Sequence, residues 1–340
     1  MDVERNVLTL DEFRVSEIRS IAEAKGELST LLRDIGLAAK MINVEVNKAG
    51  LVNILGDAGS VNVQGEQVKK LDIFANNQMV KVLQRGINCA GIISEEMEEP
   101  VAFEDPLSRK SNYIVAFDPL DGSTNIDNCI SIGTIFGIYS RISAPGSRLT
   151  QQDFSVQGNR MVAAGYVVYG SSTIFVFATG RSVNGFTLDP TIGEFYLSHP
   201  NIKCPQMGYI YSVNQSNLLN YSPGIQQYIN SFQLQNLQKE GACTLSHVGS
   251  MVADLHRNLI KGGVFLNPSS PLFPNGRLRL LYECNPWAFI YERAGGRAIT
   301  VKGQRVLDVP CTDIHQRTPF FVGSSLMIDE LERCLLNEDT

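Results

Sequence analysis

Tyr113-Ile114-Val115-Ala116-Phe117-Asp118-Pro119-Leu120-Asp121-Gly122-Ser123-Thr124 joins an apolar run to a pair of carboxylates and then to a turn. The run, with its β-branched and aromatic residues, spells a buried strand. Gly-Ser-Thr-Asn after Asp121 suits a turn and the start of a helix. Hard cations such as Mg²⁺ take oxygen ligands, usually one or two carboxylates plus substrate phosphate. A helix start offers free backbone N–H groups to that phosphate. One short segment thus has donors for a metal and an anion together. A second acidic pair, Glu95-Glu96, ends the run Ile92-Ile93-Ser94. The plain alternatives are a solvated acidic loop, since Glu98 and Glu99 follow, and an Asx-turn at Asp118.

Working outward, Leu28, Leu31, Leu32, Ile35, Ala38, Ala39 and Ile42 recur at helical spacing, which predicts a core-facing helix over 28–46. Residues 50–65, rich in Gly, Asn, Asp and Ser, read as a mobile loop. A helix is expected over 68–83 with Asp72 near its start. Strands are expected over 87–93, 113–117, 132–142, 161–169, 174–179 and 187–197. Asn184-Gly185 reads as a hairpin turn. A second lobe is expected to begin near residue 199, dividing the chain into 1–198 and 199–340. It holds a strand over 209–213, helices over 225–232 and 250–258, a strand over 278–283, and a helix over 287–294 closed by Gly295-Gly296. Periodicity alone gives an α/β or α+β chain of two lobes.

With 340 residues, 44% hydrophobic and 19% charged, the chain has the make-up of a globular protein with a substantial core. A net charge of −6 gives no basic footprint for nucleic acid. No apolar run reaches the roughly 18 residues that span a bilayer, so no membrane partner is expected. The first residues lack a signal-peptide pattern. The seven cysteines are scattered without a CxxC pair, which points to reduced thiols. A cytoplasmic location is expected, with an organelle stroma after loss of a transit peptide as the alternative.

Six motifs occur in order: Val63-Gln64-Gly65-Glu66 through Lys69-Lys70-Leu71-Asp72; Glu95-Glu96; Asp118 to Asp127 (DPLDGSTNID); Ser131 to Tyr139 (SIGTIFGIY); Gly249 to Arg257 (GSMVADLHR); and Leu278 to Pro286 (LRLLYECNP). With these the chain closely resembles the class I fructose-1,6-bisphosphatases, within the lithium-sensitive, metal-dependent sugar and inositol phosphatases, from about Gly26 to about Gly323. The resemblance implies helix and sheet layers stacked helix-sheet-helix-sheet-helix, a homotetramer, and hydrolysis of the 1-phosphate of fructose 1,6-bisphosphate with two or three Mg²⁺ ions. Mn²⁺ is the other hard cation considered. It implies that Glu95, Asp118, Asp121, Glu283 and the Leu120 carbonyl ligate metal. Asp72 and Glu96 would orient and deprotonate the attacking water, and Glu66 would arrive on a closing loop. Gly122, Ser123 and Thr124 would meet the scissile phosphate, with Asp121 beside it and Arg279 as a cationic partner or a structural ion pair.

The far end of the substrate pocket departs from the family. Asn214 and Met251 match, and Arg277 keeps the charge of a family lysine. Ser246 and His247 stand where the family has Arg-Tyr, and Asn217 and Asn267 replace tyrosines. An inter-subunit cation and three phenols are therefore missing. The expectation is weaker fructose 1,6-bisphosphate binding or a changed sugar such as sedoheptulose 1,7-bisphosphate; a non-catalytic homologue is the remaining alternative. The nucleotide-inhibitor site is altered too. Glu27 and Tyr113 remain, Asn112 replaces a lysine, and Ser140 replaces an arginine beside Arg141. Weak or absent AMP inhibition is expected. The cysteine-bearing insertion of plastid members is missing between Arg141 and Arg160, so no thioredoxin-type switching is expected.

Overall fold

The computed structural model describes residues 8–13, 26–48, 51, 57–61, 67–238 and 242–337. Its centre is an eight-stranded sheet. The strands are β3 (Gly91–Ser94), β4 (Val101–Ala102), β5 (Tyr113–Asp121), β6 (Ile132–Ser140), β7 (Met161–Tyr169), β8 (Thr173–Ala178), β9 (Val183–Asp189) and β10 (Glu194–His199), in the order β10-β9-β8-β7-β6-β5-β3-β4. All neighbours are antiparallel except β3 and β5. A small hairpin, β1 (Asp57–Val61) with β2 (Gln67–Lys69), precedes it.

Strand alternation sends the two faces into different cores. Val115 and Phe117 join Phe136, Val167 and Phe175 against helices α1 (Glu27–Val46) and α2 (Lys70–Gly86). Ile114 and Ala116 join Tyr166 and Val176 on the opposite face, against helices α5 (Met251–Lys261) and α6 (Asn285–Ala294). There the buried Trp287 stacks on Tyr166 with ring centroids 4.2 Å apart. Beyond lies a five-stranded sheet ordered β12 (Thr244–Leu245), β11 (Ile210–Ser212), β13 (Val264–Asn267), β17 (Phe320–Gly323), β15 (Arg297–Ile299). Helices α4 (Pro223–Gln238) and α7 (Ser325–Leu336) cover its outer side. The short helix α3 (Gln151–Phe154) and a two-strand pairing of β14 (Leu278–Arg279) with β16 (Arg317–Thr318) complete the elements used below. The result is the helix-sheet-helix-sheet-helix stack implied by the resemblance.

Several local expectations are corrected. Asn184-Gly185 lies inside β9, not at a turn; neither residue has the positive φ such a turn needs. Asn184 is buried, and its carboxamide accepts from Asn201 N at 2.8 Å and donates to Ser182 Oγ at 2.9 Å. The chain reverses just before, where Thr179 N donates to Ser182 O. The single strand expected over 187–197 is two strands, reversed at Gly193 with φ +70°. The strand expected from Ile87 starts at Gly91, because Ile87 is left-handed (φ 56°) and ends α2. Part of the expected 50–65 loop is strand β1. The strand expected over 278–283 stops at Arg279; Leu280–Cys284 form a π-helical turn that runs into α6.

Candidate active site

The carboxylates converge because of one irregularity. In a regular strand, residues three apart face opposite sides. Asp118 pairs with Ile135, but Asp121 pairs with Gly133, so β5 carries one extra residue over that interval. This bulge turns both side chains toward the same cavity. Leu120 N donates to Asp118 Oδ1 at 2.9 Å, and Thr134 Oγ1 donates to Pro119 O at 2.8 Å, so the bulged backbone is held. β3 runs parallel to β5, and Glu95 N donates to Phe117 O at 3.1 Å, which delivers Glu95 beside Asp118. Glu283 arrives from the π-helical turn, where its carboxylate accepts from Arg279 N. Oxygens of Asp118, Asp121 and Glu283 lie within 4.8 Å of one another.

These groups repel one another in a dry place. Burial raises Asp118, and Glu95, Asp121 and Glu283 raise it further. Burial likewise raises Asp121, against the opposing Val252 N–H, which donates to Asp121 Oδ2 at 3.0 Å from the start of α5. Glu283 is raised by burial and by Glu95, against Arg279. The Arg279 guanidinium sits 2.8 Å from Glu95 and 3.8 Å from Glu283. Four carboxylates thus face one guanidinium. An all-oxygen donor set with excess negative charge suits divalent hard cations, whose charge reverses this repulsion. Arg279, expected as a phosphate partner or a structural pair, is ion-paired here.

Asp72, in the first turn of α2, is pushed up to about 7 by burial, opposed by the Lys69 N–H and aided by Glu95. Its Oδ2 accepts from Lys69 N at 2.8 Å, and a side-chain hydrogen bond from Ser123 also opposes the rise. Gly122 is left-handed (φ 79°), and a Cβ there would come within 3.1 Å of Ser250 Oγ. Ser123 and Thr124 open a six-residue 3₁₀ helix, Ser123–Asn128, rather than an α-helix.

The carboxylates and the turn after Asp121 line one cavity of about 630 Å³. Asp72, Glu95, Glu96, Asp118, Leu120, Asp121, Gly122, Ser123, Thr124, Arg279 and Glu283 line it together with Asn214, His247, Met251, Asn267 and Arg277. Glu66 lies outside the described residues. Tyr221, Asp254 and Phe273 line the cavity as well and were not singled out from sequence. Arg277 holds its guanidinium 4.7 Å from the Phe273 ring centroid. The Arg277 backbone N–H donates to Asn267 Oδ1 at 3.3 Å. Tyr221 donates its hydroxyl to Asn214 O at 2.9 Å. Asp254 is fully buried. It accepts from Val248 N and Gly249 N, pairs with Arg257 at 2.9 Å, and lies 3.5 Å from His247 Nδ1. Asp254 was within reach of sequence reasoning, being three residues before Arg257 on the same helix face. Tyr221 and Phe273 carry no local signal.

At the start of α1, the Glu27 carboxylate accepts from Asn112 N and Nδ2 at 3.3 and 3.1 Å. Arg141 is buried, and its guanidinium donates to Ser143 Oγ, Arg109 O, Ser111 O and Ser147 O.

Comparison with known proteins agrees along nearly the whole chain. Residues 8–200 match the family model described as fructose-1-6-bisphosphatase, N-terminal domain, and residues 204–336 match the C-terminal domain model. A protein of Cytophaga hutchinsonii named fructose-1,6-bisphosphatase class 1 is 51% identical over 333 residues, covering 97% of this chain and 96% of that protein. The crystal structure of Leishmania major fructose-1,6-bisphosphatase in holo form superposes with a TM-score of 0.88 at 35% identity, covering 96% of this chain and 98% of that one. The apo form of the same enzyme gives 0.84 at 34% identity, covering 96% and 99%.

Proposed function

The chain belongs to the fructose-1,6-bisphosphatase family, and we propose that the cavity lined by the carboxylates holds both ends of a sugar bisphosphate, with the carboxylate cluster as a divalent-cation centre. It is a phosphoric monoester hydrolase that converts fructose 1,6-bisphosphate to fructose 6-phosphate and phosphate, an activity of gluconeogenesis. One observation carries the arrangement: four carboxylates from three distant segments meet at a cavity whose wall also bears Arg277.

Glu95, Asp118, Asp121, Glu283 and the Leu120 carbonyl hold the cations, two or three Mg²⁺, with Mn²⁺ as a substitute. Bound there, a divalent cation neutralises phosphoryl oxygens and acts as a Lewis acid. Gly122, Ser123 and Thr124 orient the reacting phosphate through N–H and hydroxyl donors. Asp72 and Glu96 orient the attacking water and accept its proton. Glu66 is assigned a role on the closing loop by resemblance alone. Asn214, His247, Met251, Asn267 and Arg277 take the second phosphate and the sugar. The two lobes divide near residue 198. The location read from the sequence is the cytoplasm. AMP inhibits weakly or not at all, because Glu27 is engaged by Asn112 and Arg141 is spent on its own loop. The assembly is a homotetramer; exposed Leu37, Met41 and Val44 on the outer face of α1 support burial against another chain.

The test is phosphate release with Mg²⁺ from fructose 1,6-bisphosphate, sedoheptulose 1,7-bisphosphate and fructose 1-phosphate in parallel, with and without chelator. The reading expects a preference for fructose 1,6-bisphosphate, loss with chelator, and recovery on adding Mg²⁺ or Mn²⁺. Asp121→Asn should lose roughly a thousand-fold or more in kcat while melting cooperatively. Equal or faster turnover of another sugar would show a repurposed distal pocket. Activity retained by Asp121→Asn would remove the metal assignment.

A further inference from the structure

We propose that His315 is a positioning residue for the carboxylate centre, bridging the turn that carries Glu95 and Glu96 to the turn that carries Glu283. Its Nε2 lies 3.0 Å from Met97 O. A carbonyl only accepts, so Nε2 carries the hydrogen and donates. In the neutral ring Nδ1 then accepts from the Tyr282 hydroxyl at 2.7 Å. Met97 follows Glu96 directly, and Tyr282 directly precedes Glu283. One imidazole therefore ties two carboxylate-bearing segments that are far apart in the chain.

The segment around His315 is itself braced. His315 N donates to Asp313 Oδ1 at 2.7 Å, and Thr312 N donates to Gln316 Oε1 at 2.7 Å. Leu280 N, at the start of the π-helical turn, donates to Gln316 O at 2.7 Å. Immediately after, β16 pairs with β14, with Arg279 opposite Arg317. Tyr282 is fully buried, and its ring meets the imidazole edge-on at 5.9 Å. The Arg279–Glu95 ion pair is a second link between the same two segments. That link lies inside the charged centre, where an entering cation competes with Arg279 for the carboxylate. The His315 bonds go to a carbonyl and a phenol, so they persist whatever the carboxylates hold. Sites of this kind depend on such supporting bonds to hold ligands in productive geometry.

The inference rests on the reading that Glu95, Asp118, Asp121 and Glu283 bind divalent cations. It is tested by direct Mn²⁺ binding to the full chain without substrate, read as free Mn²⁺ by electron paramagnetic resonance. His315→Ala is expected to weaken Mn²⁺ binding about ten-fold, and Tyr282→Phe about three-fold. His315→Gln restores most of the loss, since its amide carries a donor and an acceptor side by side. Tyr228→Phe is the control. Tyr228 is also fully buried and donates its hydroxyl to a carbonyl, Met327 O at 2.8 Å, away from the centre. It should lose stability without moving Mn²⁺ affinity. Unchanged Mn²⁺ affinity in both His315→Ala and Tyr282→Phe would overturn the proposal, as would equal weakening in Tyr228→Phe. If His315→Ala does not fold, Tyr282→Phe against Tyr228→Phe decides alone. If Asp121→Asn loses Mn²⁺ while the bridge variants keep it, only the bridge fails; if Asp121→Asn keeps it, the metal reading fails and the bridge with it.

Discussion

Arg277 stands over the Phe273 ring on the cavity wall, next to Asn267 and close enough to Tyr221 to act on its hydroxyl. The other arginine of the wall, Arg279, is engaged by Glu95 and Glu283. Phe273 holds the planar group of Arg277 from one side, and the proposed distal-phosphate role of Arg277 makes this pair testable. Arg277→Ala should raise KM for fructose 1,6-bisphosphate roughly 10- to 100-fold, as loss of a charge-assisted phosphate contact does. Phe273→Ala should raise it about two- to five-fold, with little change on the Arg277→Ala background. Neither should alter kcat/KM for fructose 1-phosphate, which lacks the distal group. Equal effects on both substrates would mean that the pair only packs the wall. At this scale the acidic residues were legible through the ordered motifs that carry the family resemblance; alone, carboxylates ending apolar runs read equally as a solvated loop or an Asx-turn. Phe273 and Tyr221 were not, because an aromatic in a loop reads the same whether it faces a cavity or another loop.

Helix α5 carries groups on both flanks. Its Val252 N–H holds Asp121 and its Asp254 holds the His247 loop, while His256 packs against the central sheet. His256 Nδ1 lies 2.8 Å from the Tyr166 hydroxyl. Burial, aided by His199, depresses its pKa from 6.5 to about 4. The folded protein therefore binds this proton more weakly than the unfolded chain. Stability is unaffected above about pH 6.5, falls as pH drops toward about 4, and levels off below, by roughly 3 kcal/mol in all. His256→Gln should remove that part of the acid limb, as followed by denaturant melts between pH 7 and 4. An unchanged slope would show that other groups control it. Element boundaries were legible where period and punctuation agree, as over α1. They failed where punctuation had another use: Asn184, inside β9, bonds Ser182 and Asn201 on either side of that strand. They failed again at Glu283, where a side chain bonding Arg279 N turns an apolar run into a π-helical turn.

Across the whole molecule, the outer helix layer bears on regulation and assembly. Glu27 and Asn112 close on each other at the start of α1, and Arg141 faces inward. AMP added to the working enzyme should leave the rate unchanged through the micromolar range; inhibition at low micromolar AMP would overturn the reading. The exposed stripe Leu37, Met41 and Val44 should be covered in solution. Leu37→Glu with Val44→Glu should shift sedimentation from a tetramer toward smaller species, and an unaltered tetramer would put the contact elsewhere. By itself the sequence determined an α/β or α+β chain through its hydrophobic period and, through the resemblance its ordered motifs carry, the family and its layered stack. Hydrophobic period and ordered acidic motifs are local properties, and they survive without knowledge of contacts. Tertiary structure alone decided the β5 bulge that brings Asp118 and Asp121 to one side, the π-helical turn that delivers Glu283, and the meeting of Arg277 with Phe273. Each depends on which distant groups satisfy a backbone or a charge, and that is settled only when the chain has closed on itself.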